Sequence, residues 1–534
     1  MKKTILFPLI ISAASAAFAD NENYDGQDLT YWDFSGQSLI NSSWKEATAV
    51  SANFTGANLS SANFTYANFS NADFTNANLT GVWAMYPQKL DNANFTGATI
   101  TDMVLTGSGF TKEQLYSTKS YQDKNLAKIN LSKNDISGWD FSGQNLTSAV
   151  LSRADIADAN FAGASIDGAY MRHMAGFAKE QLYSTKSYQD KNLRELSLGE
   201  NDMAGWDFSG QNLTWAVLDS SNLENADFSS ANLTYATIYD STFANANFTG
   251  ATITGADLSS TTEYGFTKEQ LYSTKSYQDK NLAEINLAYN DISGWDFSGQ
   301  NLTNAVIDYA VLADADFTGA DLRGASIYDY EGEPIYKNTI MEDGAIKNFS
   351  MESAADVLVV GKFIPLDEES VVSAKISEAD ASVSGGATLR LETGAELDVA
   401  NGKTLTISDG GNLIINTDAA GSTLISVESG AGLAFEDGAI LRVNIDGEFD
   451  PSGVSALSVM SWDDGAHISG SDLFVAGENL FLTVDGEAYS GAWDYQISEN
   501  QFRIVFGEIP EPATYAAIFG ALALAFAAYR RKSK

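Results

Sequence analysis

The chain has 534 residues, of which 70 are acidic and 31 are basic, and its formal net charge is −39 at pH 7. This charge excludes nucleic acid and other anionic polymers as general partners, because they would be repelled. The chain contains no cysteine and only two histidines, so disulfides are excluded and histidine-based catalysis has little support. We expect no cofactor, no resident metal ion and no enzymatic activity.

The first predicted element is an export signal at residues 1–19. Two lysines follow the initiating methionine, an apolar run comes next, and the small residues Ala17 and Ala19 define a cleavage position after Ala19. The sequence therefore predicts that the mature chain leaves the cytoplasm.

A leucine, isoleucine, methionine or phenylalanine returns every fifth residue through most of the first 330 positions. This period fits neither a helix nor a strand, so the chain must turn a corner about every five residues. A second period of 20 residues is superposed on the first, as at Phe208, Phe228 and Phe248. Twenty residues in steps of five form four sides, so residues 20–337 are predicted to wind as a four-sided solenoid of stacked coils.

The repeating unit supports this geometry. In Ala226-Asp227-Phe228-Ser229-Ser230 a large apolar residue stands at the centre, alanine lies two places earlier, and short polar residues suit the corners. The pattern resembles the pentapeptide-repeat family. The resemblance implies an all-β, right-handed quadrilateral β-helix, and it raises a remote alternative function, because some members mimic DNA and bind DNA gyrase.

Three near-identical segments interrupt the repeats, and we place the inserts at residues 106–125, 172–192 and 259–281. The shared stretch KEQLYSTK is predicted to form a short helix in each copy. Thr111 with Gln114, and Thr267 with Gln270, have the spacing of a capping box, whereas the middle copy has Ala178 at the capping position.

The inserts favour a structural role, in which the coil skips part of a turn or is capped at its side. A recognition role is the alternative, because the near-identical segments that begin at Gly109, Gly176 and Gly265 hold nine of the 31 basic residues. The candidate binding residues of the first insert are Tyr116, Lys119, Tyr121 and Lys124.

Three tryptophans, Trp139, Trp206 and Trp295, recur in the segment after each insert. An exposed tryptophan could stack on sugar rings, which would suit an extracellular polysaccharide, but a buried lid over the adjoining coil is the favoured interpretation. Most repeat aspartates occupy corner positions, so we assign them a structural role in preference to a polysaccharide-cleaving one.

Residues 338–508 have a different β pattern. Leu389, Leu397, Leu405 and Leu413 are eight apart, and each begins a short alternating strand that ends in a glycine-containing turn. Even spacing favours a second β-solenoid, and a sandwich-like domain is the alternative. Strands around Val459, Leu482, Tyr495 and Ile504 are predicted to close its end.

The last predicted element is a tail at residues 509–534. Pro510, Glu511 and Pro512 precede an apolar segment at 513–529, predicted to be a transmembrane helix. The membrane-flanking basic residues are Arg530, Arg531, Lys532 and Lys534. The tail resembles the PEP-CTERM sorting signal, which implies recognition by an exosortase-type membrane protease in a Gram-negative bacterium and transient anchoring in the inner membrane.

These elements predict an exported, surface-sorted, non-catalytic structural or adhesive protein of the cell envelope, cell surface or extracellular matrix. An extracellular carbohydrate-binding or carbohydrate-degrading protein is the alternative. The predicted signal and tail oppose gyrase binding, because they would take the chain away from the cytoplasm.

Overall fold

The computed structural model describes residues 20–84, 88–363, 373–418, 423–446, 456–464, 466–469, 479–484, 487–489, 493–497 and 500–506. The predicted signal peptide at 1–19 and the predicted transmembrane helix at 513–529 lie outside these ranges. Within the described ranges, no helix has the length and apolar character needed to cross a membrane.

Contacts divide the chain into two compact units, Met1–Ser276 and Tyr277–Lys534. The division falls inside the third predicted insert. The last pentapeptide coils therefore belong to the same unit as the second solenoid, whereas the sequence suggested a junction near residue 337.

In the first unit, successive coils pair as parallel β-bridges between residues 20 apart, such as Asn53 with Asp73. Every fifth side chain points inward. Phe34, Phe54 and Phe74 are fully buried, and their rings stack with centroid separations of 5.1 and 5.0 Å. The predicted four-sided coil with its internal column of phenylalanines is confirmed.

The corners depend on short polar side chains. The Asn53 Oδ1 accepts a hydrogen bond from the Thr55 backbone N–H at 3.0 Å, and its amide donates to Asp33 of the preceding coil at 2.9 Å. The same two contacts recur along the repeats, as at Asn78 and Asn247. These asparagines and aspartates lie at the bridge positions directly before the turns, whereas the sequence predicted that the repeat aspartates lie at the corners themselves. From there they stabilise both the turn and the stacking of coils.

Each insert forms two short helices where the sequence predicted one. The helices are α1 (Lys112–Ser117), α2 (Lys119–Gln122), α3 (Lys179–Tyr183), α4 (Lys186–Gln189), α5 (Lys268–Ser273) and α6 (Lys275–Gln278), and a 3₁₀ turn spans Thr262–Tyr264. The predicted helix is confirmed as α1, and the second helix was not predicted; the two are separate because Thr118 is extended, with φ −72° and ψ 150°. Its side chain caps α2 by accepting from the Tyr121 N–H, so the helix ends and restarts there.

The first insert lengthens one coil without breaking the stack. Val104 pairs with Asn130, 26 residues later, where regular coils pair at 20. Phe110 and Leu115 are buried, and Phe110 packs edge-on against Phe95 at 5.0 Å. The five-residue step therefore continues inside the insert, which supplies its own apolar residues to the core.

The second solenoid has three sides. Its strands are β1 (Thr339–Ile340), β2 (Ile346–Lys347), β3 (Val357–Val360), β4 (Ala374–Ile376), β5 (Ala381–Val383), β6 (Thr388–Leu391), β7 (Glu396–Val399), β8 (Thr404–Ile407), β9 (Asn412–Thr417), β10 (Leu424–Val427), β11 (Gly432–Phe435), β12 (Ile440–Ile445), β13 (Ala456–Trp462), β14 (His467–Ser469), β15 (Leu480–Val484), β16 (Glu487–Ala488), β17 (Trp493–Ile497) and β18 (Gln501–Phe506). From β3 to β15, strands three apart in sequence pair in parallel, so that β6 lies between β3 and β9.

This pairing explains the eight-residue spacing of the leucines. Leu389, Leu397 and Leu405 lie on three different sides of one coil, and Leu413 returns beside Leu389. The solenoid was one of two arrangements that the sequence left open, and parallel pairing identifies it over the sandwich. At its end β13 pairs antiparallel with β18, which also pairs antiparallel with β17.

Within the second unit, the pentapeptide coils meet the second solenoid around a buried arginine. Arg323 is fully buried and donates to both carboxylate oxygens of Asp321, at 2.9 and 2.6 Å. It also donates to the Gly361 carbonyl at 2.6 Å and lies over the Phe363 ring. These contacts neutralise the charge where burial would otherwise be costly.

Candidate functional site

The candidate binding residues lie on the paired helices of the inserts. Thr111 accepts from the Gln114 N–H while the Gln114 side chain accepts from the Thr111 N–H, so α1 begins with the predicted capping box. The Gln114 amide also donates to the Leu90 and Ala93 carbonyls, both at 3.0 Å. The cap therefore also attaches the helix to the neighbouring coil.

Two tyrosines of the first insert bind the backbone of a single residue. The Tyr116 hydroxyl accepts from the Asp140 N–H at 2.6 Å, and the Tyr121 hydroxyl donates to the Asp140 carbonyl at 2.9 Å. The two rings stack at 4.5 Å. At the equivalent residue of a regular coil, such as Asn53, the N–H and the carbonyl both pair with the preceding coil. The tyrosines therefore supply the partners where helices replace one side of that coil.

Lys124 extends this arrangement. Its ammonium donates to the Ser142 carbonyl at 2.9 Å and lies over the Tyr121 ring at 5.4 Å. The Gln144 amide donates to the Tyr121 carbonyl at 3.0 Å. We call the contacts of Tyr116, Tyr121 and Lys124 with the following coil the tyrosine clamp.

The clamp recurs in the other copies. In the second insert, Tyr183 and Tyr188 bind the Asp207 backbone and Lys191 binds the Ser209 carbonyl. In the third, Tyr277 donates to the Asp296 carbonyl at 2.8 Å and Lys280 to the Ser298 carbonyl at 2.7 Å. The sequence identity of the inserts thus corresponds to one repeated set of intramolecular contacts.

Two of the clamp tyrosines, Tyr121 and Tyr188, have raised pKa values. Burial, with added effects from the neighbouring tyrosine and aspartate, raises the pKa of Tyr121 to about 12, and burial raises the pKa of Tyr188 to about 12. The Ser142 backbone N–H, which bonds the Asp140 carboxylate, lowers the pKa of that carboxyl group. These groups therefore keep their hydrogen-bonding forms across the physiological range and are not set for proton transfer.

Lys119 is the fourth candidate of the first insert, and it lies outside the clamp. Its side chain is 59% exposed and forms an ion pair with Asp123 one helical turn away. Lys186 and Asp190 repeat the pair in the second insert. Surface pairs of this kind contribute little to stability.

The three recurring tryptophans are buried. Trp139, Trp206 and Trp295 are 5%, 6% and 6% exposed, and each stacks near the phenylalanine two residues later. Burial matches the lid interpretation and leaves almost no ring surface for a sugar.

A charge cluster in the second insert was missed in the sequence. Arg172 donates to both oxygens of the buried Asp219 carboxylate and to Glu200, and His173 lies 3.4 Å from Glu200. Hydrogen bonding to Asp219 raises the pKa of the arginine. The sequence signal was Gly199, because the other two modules have serine or alanine at this place. The glycine makes room for the arginine, since a β-carbon there would lie 2.6 Å from the Arg172 guanidinium.

Among the described residues, no group of three or more histidine and carboxylate side chains is arranged to hold a metal ion. The cleavage residues Ala17 and Ala19, the motif Pro510–Glu511–Pro512 and the terminal basic residues lie outside the described ranges.

A sequence model described as "Pentapeptide repeats" matches eight copies, over residues 28–65, 45–81, 135–172, 212–250, 240–262 and 296–329. No curated protein sequence matches the chain significantly.

Among solved structures, the chain is similar to HetL of Nostoc sp. strain PCC 7120, a pentapeptide repeat protein involved in heterocyst differentiation regulation. The identity is 20%, the coverage is 62% of this chain and 93% of that one, and the TM-score is 0.13. A pentapeptide repeat protein of the Arabidopsis thaliana thylakoid lumen is 26% identical over 30% of this chain and 75% of that one, with a TM-score of 0.08.

Full-length QnrB1, a plasmid-mediated fluoroquinolone resistance protein, is 11% identical over 51% of this chain and 93% of that one, with a TM-score of 0.13. Scores this low carry no argument about function. The coils of the matched stretches are pentapeptide repeats.

Proposed function

We propose that the chain is an exported, surface-sorted structural or adhesive protein without catalytic activity. The observation that carries the proposal is the tyrosine clamp, because tyrosine and lysine side chains that could have formed a recognition site bind the chain's own backbone instead. Carboxylates directly before the turns are likewise used as turn acceptors, as Asp207 is for the Ser209 N–H. The polar groups of the repeats thus maintain a scaffold.

The placement outside the cytoplasm is supported by the sequence at the two ends. The residues preceding Asp20 have the pattern of an export signal. Pro510–Glu511–Pro512, together with the apolar segment and the basic residues that follow, has the pattern of a sorting tail. On this proposal an exosortase-type protease removes the tail after transient insertion in the membrane.

The test is expression of the full chain in a Gram-negative host that carries an exosortase. Cell fractionation and mass spectrometry of both ends should find a surface protein that begins at Asp20 and lacks the residues after the sorting motif. Replacing Pro510, Glu511 and Pro512 by alanine should retain the chain in the inner membrane, whereas the adjacent control Glu508→Ala should be processed normally. Full-length protein in the cytosol would contradict the proposal.

A further inference from the structure

Six aromatic residues occupy corner positions at which the backbone is left-handed. Their φ angles lie between 56° and 65°, and they are Tyr31, Tyr66, Trp215, Tyr235, Tyr289 and Tyr309. Most other corners of this kind hold asparagine, aspartate, serine, lysine, glutamate or glycine. Aromatic residues are therefore exceptional at these places.

The left-handed conformation is costly for a bulky side chain. It brings the β-carbon close to the following carbonyl oxygen, which costs about 1–2 kcal/mol per residue, and asparagine or glycine relieves this strain. Burial does not compensate at Trp215, Tyr289 and Tyr309, which are 51%, 59% and 44% exposed. Folding alone therefore gives little reason for aromatic residues there.

In the second unit two such rings form an exposed series with a third tyrosine, Tyr328, whose backbone is not left-handed. Tyr289 stacks on Tyr309 with a centroid separation of 5.0 Å and an interplanar angle of 9°. Tyr328, which is 65% exposed, meets Tyr309 edge-on at 82°. Tyr289 is 59% exposed, so both it and Tyr328 present ring surface to solvent. We call Tyr289, Tyr309 and Tyr328 the tyrosine series.

The first unit holds a matching pair. Trp215 stacks on Tyr235 at 4.4 Å, with an interplanar angle of 16°. Gly255 continues the column, and a β-carbon there would lie 2.3 Å from the Tyr235 ring. The glycine thus lets the tyrosine lie flat, and Trp215 presents the exposed ring of the pair.

Carboxylates flank the tyrosine series. Asp308 accepts from the Tyr328 N–H at 2.8 Å, so its carboxylate lies beside that residue, and Asp329 follows Tyr328 in the chain. Aromatic faces stack on the apolar faces of sugar rings, and carboxylate oxygens accept hydrogen bonds from hydroxyl groups. The net charge of −39 disfavours an anionic polymer.

We propose that the tyrosine series and the Trp215–Tyr235 pair bind an uncharged polysaccharide. The proposal deepens the proposed function, because it supplies the ligand class of an extracellular adhesive protein. Binding is tested on purified protein, so a failure of export and a failure of binding are separate results.

The experiment screens the full chain on a glycan array of neutral, cationic and anionic oligosaccharides, followed by calorimetric titration of the best neutral glycan and of alginate hexasaccharide. We expect binding to the neutral glycan and none to alginate. Tyr289→Asn with Tyr309→Asn, and separately Trp215→Asn, should each weaken binding about tenfold. All three changes together should abolish it.

Asparagine is chosen because it tolerates the left-handed backbone, so these variants should melt no lower than the wild type. Tyr170→Asn is the control for the loss of an exposed ring, since Tyr170 is 51% exposed, lies at a bridge position and is outside both aromatic groups. Tyr328→Ser provides a variant that leaves the corners intact and should also weaken binding. Unchanged binding in the triple variant, equal binding to alginate, or no binding to any neutral glycan would overturn the proposal.

Discussion

At the scale of single residues, the four-sided coil depends on what fills its interior. Phe54 is fully buried between Phe34 and Phe74, and its ring also meets Trp44 and Phe69. A coil contacts only its neighbours, so a cavity at Phe54 cannot be filled by rearrangement elsewhere. Interior phenylalanines should therefore be among the most sensitive positions of the first unit.

Phe54→Ala should lower the free energy of unfolding of this unit by about 3–5 kcal/mol, because it removes a stacked ring from a closed core. Urea denaturation followed by circular dichroism measures the change. Phe54→Leu is the control, since leucine fills equivalent positions such as Leu59. Equal losses in the two variants would contradict this account of the core.

In the second unit, one carboxylate should make stability depend on pH. The hydrogen bond from Lys337 is the main reason that the pKa of Asp356 falls from 3.8 to about 2, and Ser353 contributes further hydrogen bonds. Since the folded-state pKa is depressed, the stabilisation is present above pH 4 and is lost as the pH falls from 4 towards 2.

Asp356→Asn should therefore lower the free energy of unfolding at pH 7 by about 1–2 kcal/mol, a figure reduced for the solvent exposure of Lys337. The difference from the wild type should shrink towards zero near pH 2. Urea denaturation at several pH values checks this, with the exposed corner change Asp314→Asn as the charge control. A difference that does not vary with pH would argue against the ion pair.

At the scale of elements, the inserts show how a helix can replace one side of a β coil. Helices α1 and α2 pair no backbone with the following coil in the manner of a strand, and the tyrosine clamp compensates at Asp140. The second insert has a weaker start, because Ala178 offers no side-chain acceptor and only the Gln181 half of the capping box remains. Its first helix is five residues long, where α1 and α5 have six.

Ala178→Thr should restore the missing cap and raise the free energy of unfolding by about 0.5–1 kcal/mol. The reverse change in the first insert, Thr111→Ala, should lower it by a similar amount. Hydrogen exchange at the Gln181 and Gln114 amides measures both changes locally. Unchanged protection at Gln181 in Ala178→Thr would show that the cap is not limiting.

The elements also show where prediction from sequence succeeds. The periods of five and 20 residues predict the coils correctly, because each repeat dictates its own turn and its own buried side chain. The division at Thr118 was not predicted, since one residue ends α1 and caps α2 through contacts on both sides. The clamp was missed for another reason: Tyr116 meets Asp140 across 24 residues, and only the stacked coils bring them together.

The exposed aromatic corners could have been found in the sequence. Trp215 and Tyr289 stand two places after a central leucine, where most repeats carry a small or polar residue. The recurring Trp139, Trp206 and Trp295 drew attention instead, because repetition is easier to see than exposure. A residue that recurs in every module is explained by a contact that each module needs in order to fold. An aromatic residue that is present in only some coils needs a different explanation.

At the scale of the whole molecule, charge is the dominant property. Many aspartates directly before the turns accept backbone hydrogen bonds, and these bonds lower the pKa of Asp33 and Asp140. They therefore remain ionised well into the acidic range. Much of the net charge of −39 is thus built into the turns, and like charges repel along the stack.

Added salt should accordingly stabilise the protein. Raising NaCl from 10 to 100 mM shortens the screening length from about 30 to about 10 Å, and the midpoint of thermal unfolding at pH 7 should rise by several degrees. Repeating the series near pH 3, where fewer carboxylates are charged, should give a smaller rise and serves as the control. A midpoint that falls with salt would mean that attractive pairs outweigh the repulsion.

The lengthened coil at the first insert has a practical consequence. The Gly97 N–H still bonds the Ser117 carbonyl, and a few residues later the Asp102 N–H bonds the Ala127 carbonyl, so the six surplus residues leave the winding on either side undisturbed. A coil can therefore take in extra residues on one side, provided that the residues before and after them keep their backbone partners in the neighbouring coils. The chain thus holds natural sites for displaying a foreign epitope.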